Sequence, residues 1–228
     1  ILQNIYNQGN FMSGNRARVA IAGVGNCASA FVQGIEYYRL RNDADSAGLI
    51  NETIAGMTAA DIDVVAAFDV DVRKVGKAIN EAIFAAPNCT TRFLENVPPS
   101  DVTVQMGPVL DGIAPHMADM PEDQAFRAAD AEPVDIANAL RDAGADVLIC
   151  YLPVGSEAAV RHYAEACLKA GVALVNCVPV FIASDRDWAA RFEAANLPIV
   201  GDDIKSQLGA TIVHRVLTQL FEERGVDL

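Results

Sequence analysis

The chain has 228 residues, of which 52% are hydrophobic and 7% aromatic, and a formal net charge of −13 at pH 7. That is enough apolar material for one large domain, or one and a half, with a true core. The acidic balance speaks against a basic surface for nucleic acid or anionic membranes, but a few local donors can still hold a phosphorylated small molecule. The five cysteines, Cys27, Cys89, Cys150, Cys167 and Cys177, show no C-x-x-C spacing. They predict free thiols and a cytoplasmic setting. No signal peptide and no bilayer-length apolar run is read.

In chain order, residues 1–11 are Asn/Gln-rich and aperiodic, so 1–15 reads as a disordered or foreign leader. Residues 18–30, RVAIAGVGNCASA, then read as strand, glycine turn and helix. Gly23 and Gly25 supply the turn, and Ala28 stands at the third position of G-x-G-x-x-G, which needs only a small residue. The helix, about 26–40, would aim its first N–H groups at an anion such as a dinucleotide pyrophosphate.

Residues 41–61 are polar and read as an insertion loop. Residues 63–69 (DVVAAFD) form a second buried strand, followed by a predicted helix over 71–85. A short strand at 102–105 leads into a loop over 107–130 with one helical turn. A helix over 133–143 has Pro133 at its first position and Gly144 beyond its end. Strand 147–152, helix 157–170, strand 172–176, helix 186–195 and strand 198–201 complete the alternation. The last helix, 207–224, carries an apolar stripe that predicts packing on the sheet or on a further domain. The pattern predicts an α/β fold, a doubly wound parallel sheet of about six strands.

Three places could carry chemistry. Asp69 ends the second strand, where an acid would bond the adenosine ribose hydroxyls and favour NAD over NADP. It lies 44 residues beyond Gly25 against a usual spacing of about 20, and the polar insertion accounts for the excess. Otherwise it caps the next helix. Tyr151, Leu152, Pro153 and Gly155 leave the carboxyl end of a buried strand, with Ser156 placed as a helix N-cap. Asp202, Asp203, Lys205 and Ser206 crowd a strand end; adjacent acids predict either a raised pKa on one of them or a bound cation. Lys205 could polarise a carbonyl or hold a phosphate. The three histidines share no ligand spacing, and Cys27 reads as packing.

The segments AGVGNCAS, GIEYY, VVAAFDVD, VTVQMGPVLDG, YLPVGSE, NCVPVFIASD, IVGDDIKSQLGAT and HRVLTQLFEERG together resemble the inositol-3-phosphate synthases of the bacterial and archaeal type, from about residue 16 to the end. The resemblance implies an NAD-dependent, redox-neutral isomerisation of D-glucose 6-phosphate to 1D-myo-inositol 3-phosphate by a homotetramer. It implies a Rossmann domain over 16–206 and a connecting helix over 207–228, with the family's catalytic and oligomerisation domain lying beyond. By the same resemblance, Gly23, Val24, Gly25, Asn26, Cys27 and Asp69 contact the adenosine and pyrophosphate, and Tyr151–Gly155 lie beside the nicotinamide ribose. Asp203 and Lys205 are the implied catalytic residues, and Ser206, Tyr163 and Ala143 are further cofactor positions. Another such position, usually Asp, is Ala78 here. The residues alone leave two other readings open. One is a dehydrogenase lacking its substrate domain, the other a non-catalytic NAD-binding module.

Overall fold

A computed structural model of the chain describes residues 16–40, 48–204 and 212–226. Strand β1 (Ala17–Ala22) enters the glycine turn and helix α1 (Asn26–Leu40). Strand β2 (Ile62–Asp69) follows, then α2 (Ile79–Ala82) and β3 (Val104–Met106). The second half alternates α3 (Ile136–Asp142), β4 (Val147–Cys150), α4 (Glu157–Ala170), β5 (Ala173–Asn176), α5 (Arg186–Ala194) and β6 (Ile199–Val200), before α6 (His214–Glu223). The six strands lie in the order β3-β2-β1-β4-β5-β6, and every pairing is parallel. The order reverses between β1 and β4, the switch point at which such sheets bind ligands beyond their carboxyl ends.

The sheet is buried on both faces because successive side chains alternate. Val19 and Ile21 of β1 join Val32, Ile79 and Ile83 on one face. Ala20 and Ala22 join Phe68, Leu140, Leu148, Val160 and Phe192 on the other. Small alanines in β1 let helices approach its backbone closely, which suits the central strand.

Three expectations are corrected. The helix over 71–85 shrinks to α2, because residues 76–79 are drawn alongside β3. Gly76 adopts a φ of +82° and its N–H donates to the Val104 carbonyl at 2.8 Å, while Val104 N–H returns a bond to Lys77. Ladder bonds to a neighbouring strand thus outweigh the helical period. Pro133 does not start α3; Asp135 caps it, its carboxylate accepting from Asn138 N–H at 3.0 Å. For the last helix, predicted over 207–224, only the first of its two alternatives is corrected: residues 207–211 lie outside the described residues, and every described residue from 212 to 226 is exposed, Val216, Leu217, Leu220 and Phe221 included, so the apolar row does not pack on the sheet. Among the described residues, no helix is long and apolar enough to cross a membrane.

Candidate functional site

A cleft of about 740 Å³ lies at the switch point, on the carboxyl edge of the sheet. Its floor is the glycine turn. Gly23 must be glycine: its φ is +91°, and a Cβ would stand 2.8 Å from the Tyr151 carbonyl oxygen. Gly25 differs, since a Cβ there would meet nothing within 4 Å. The cleft therefore has open space above Gly25, beside the first-turn amides of α1 that no helical carbonyl can reach. That is the shape a pyrophosphate needs.

The turn is tied to the end of β2 on both sides of one residue. Gly23 N–H donates to the Phe68 carbonyl, Val24 N–H to Asp69 Oδ2 at 2.7 Å, and Lys74 Nζ to the Val24 carbonyl at 2.5 Å. Asp69 Oδ1 accepts from Val70 and Asp71 N–H at 2.7 and 2.8 Å. Asp69 thus lines the cleft already anchored by three N–H donors, and its remaining lone pair is available to a hydroxyl. No such arrangement can be read in the local sequence, where Lys74 belongs to an apparent helix.

The walls are loops. Asn26 holds the first: its Oδ1 accepts from Cys89 N–H at 3.0 Å, and its carbonyl accepts from the Thr90 hydroxyl. Residues 107–130 form the second, whose Asp111 carboxylate accepts from Ala158 and Ala159 N–H at 2.6 and 3.0 Å. Ser156 stands at the N-cap position of α4 but makes no side-chain cap bond, so Asp111 does the capping from afar. Gly112, at φ +82°, permits this: a Cβ would fall 2.2 Å from Ser156 Oγ. The sequence reading of 107–130 as a loop gave no sign of this cap.

The structure gathers most of the expected residues. Gly23, Gly25, Asn26, Cys27, Asp69, Tyr151, Leu152, Pro153, Tyr163 and Asp203 all line the cleft. Val24 is buried beneath it, and Gly155 lies just outside its lining. Cys27 is exposed at the cleft, which corrects its reading as packing; its position on the first turn of α1 turns it to the cleft. Ala143 is not brought to the cleft. It is the C-cap of α3, and its carbonyl accepts from the guanidinium of Arg18, near the start of β1 and the opposite edge of the sheet. Ala78 likewise pairs with Thr103 outside the cleft lining. Lys205 and Ser206 lie outside the described residues.

The paired acids diverge. Asp202 points into the fold, accepting from Asn176 Nδ2 at 2.8 Å and from the N–H groups of Ile182, Ala183 and Ser184 at 3.0 Å each. Burial works to raise its carboxyl, but those donors outweigh it and hold the group below the usual carboxylate range. The expectation of a raised pKa therefore fails for Asp202. Asp203, at φ +72°, faces the cleft. Among the described residues no group of three or more His, Cys, Asp or Glu side chains is assembled as a metal site. Burial raises the phenols of Tyr151 and Tyr163 and pushes the Cys177 thiol up to about 11. These groups stay neutral and give the cleft apolar walls.

Fold and cleft define the class: a Rossmann-like α/β domain with a glycine turn at the switch point. Within that class the chain matches inositol-3-phosphate synthases along nearly all of its length. It is 55% identical over 212 residues to the inositol-3-phosphate synthase of Mycolicibacterium smegmatis, covering 92% of this chain and 57% of that protein. The enzyme of that name from Corynebacterium glutamicum is 52% identical over 216 residues, covering 94% and 58%. The chain thus spans somewhat over half the length of the curated relatives it matches. Among solved structures, that of Ari2 superposes with a TM-score of 0.77 at 37% identity, covering 92% of this chain and 59% of that one. A myo-inositol-1-phosphate synthase-related protein from Thermotoga maritima shares the fold, with a TM-score of 0.68 at 22% identity. No family model matches.

Proposed function

We propose that this chain is the NAD-binding part of an inositol-3-phosphate synthase, an isomerase that converts D-glucose 6-phosphate to 1D-myo-inositol 3-phosphate with no net change in cofactor. The observation that carries the reading is the 52–55% identity to named synthases over 92–94% of the chain. The cleft suits the cofactor. The open space at Gly25 and the α1 amides would receive the pyrophosphate, and Asp69 would accept a ribose hydroxyl. Tyr151, Leu152 and Pro153 would flank the nicotinamide half, with Asp203 and Lys205 towards the substrate. Bound there, NAD supplies reversible hydride transfer, taken up and returned within one turnover. A carboxylate at Asp69 also repels a 2′-phosphate, which favours NAD over NADP. The whole protein would act as a cytoplasmic homotetramer.

Two measurements test this. Calorimetric titration should show NAD binding to the chain and much weaker binding of NADP, with the preference narrowing in D69N. Given glucose 6-phosphate and NAD, the complete protein should form an inositol phosphate without net NADH absorbance. Accumulating NADH would identify a dehydrogenase instead.

A further inference from the structure

Lys74 has no part in the reading above, and its setting is unusual for a lysine. It stands on the turn after β2 and is 3% exposed, although desolvating an ammonium is costly. Its Nζ donates to the Val24 carbonyl at 2.5 Å, and among the described residues no carboxylate lies within ion-pair distance of it. Both neighbouring acids are engaged elsewhere. Asp69 accepts three backbone N–H groups, and Asp71 is forked by the Arg73 guanidinium at 2.6 and 2.9 Å. An ammonium has three N–H donors, so one bond to Val24 leaves the group underused.

Charge supplies the reason to keep it. Lys74 is the one basic side chain among the described residues lining the cleft, against the carboxylates of Asp69, Asp111, Asp123 and Asp203. A dinucleotide brings a further negative pyrophosphate into this field. The α1 N-terminus offers about half a positive charge, whereas a buried ammonium offers a whole one in a low-dielectric setting.

We propose that Lys74 is a positioning residue for the dinucleotide: it holds the glycine turn through the Val24 carbonyl, and its charge beneath that turn offsets the cleft's carboxylates when the pyrophosphate docks. This rests on the NAD reading above. The charged groups facing Lys74 are Asp69 at the strand end and Asp71 and Arg73 on its own turn; the glycine turn presents backbone. Burial lowers the ammonium's pKa from its ordinary 10.5, with Asp69 and Asp71 pulling it back. The charge is present below that lowered value and lost above it.

The test is NAD titration of the wild-type chain and of K74M across pH, with thermal melting in the absence of ligand. K74M should melt as a folded protein and bind NAD about tenfold or more weakly, the scale of a lost hydrogen bond to a charged group. Wild-type affinity should fall as pH is raised from neutral towards 10.5, and that of K74M should be flatter. Wild-type binding with K74M within twofold of it, or parallel pH profiles, overturns the role of Lys74 and leaves the NAD reading standing. Absence of wild-type NAD binding overturns both. If K74M does not fold, the wild-type profile decides: a decline supports the proposal and a flat profile overturns it.

Discussion

Two strand-end acid pairs invite comparison: Asp69 and Asp71 after β2, and Asp202 and Asp203 after β6. In each, one carboxylate lines the cleft and the other is spent on the fold. Asp71 is 1% exposed and bonded by Arg73 and by the N–H groups of Arg73 and Arg127, so it clamps the 121–129 strap to the end of β2. Asp202 does the same for the loop at 182–184. Asp69 and Asp203 line the cleft. The roles are mirrored: in the first pair the leading acid faces the cleft, in the second the trailing one. Proximity in sequence therefore says little about shared chemistry. What separates the members is where each carboxylate sits: Asp71 is held by Arg73 and the N–H of Arg127 and Asp202 by Asn176 and the 182–184 loop, whereas Asp69 and Asp203 line the cleft.

The comparison can be broken at three points. The largest effect is expected for D71A, which strands the Arg73 guanidinium and should lower unfolding free energy by about 3 kcal/mol in urea denaturation. A loss below about 1 kcal/mol would show that Asp71 is not a clamp. D202N keeps the shape but weakens acceptance from three N–H groups, and should lose about 2 kcal/mol. Both carboxyls are held below their ordinary 3.8, so their stabilisation is full above that value and is lost as pH falls through the lowered values. Acid unfolding of D202N should accordingly depend less on pH below about 4 than that of the wild type. The smallest effect is expected for D203N, within about 0.5 kcal/mol of wild type, because among the described residues its side chain bonds only the adjacent Ile204 N–H. If D203N unfolds as readily as D202N, the division of roles fails.

Much of the architecture was legible because it rests on local patterns. The helix boundaries at Asn26–Leu40 and Glu157–Ala170 follow from apolar period and flanking glycines, and Gly171 indeed takes a φ of +76°. The run VVAAFD is too apolar for anything but a buried strand. The site was legible in outline, since a glycine turn after β1 and an acid after β2 mark the switch point. Lys74 and Asp111 were not. Lys74 reaches Val24 across 50 residues, and Asp111 reaches Ala159 across 48. Such bonds leave no periodic trace.

The amino-acid order by itself determined the alternation of strand and helix, the parallel sheet and the place of the glycine turn, because propensity, period and turn chemistry act over a few residues. Only the tertiary structure decided which acids serve the fold and which face the cleft, why the helix within 71–85 is confined to 79–82, and where the buried ammonium of Lys74 sits. Those outcomes depend on which distant backbone donors and acceptors come within about 3 Å of a side chain, and burial then sets how strongly each bond counts.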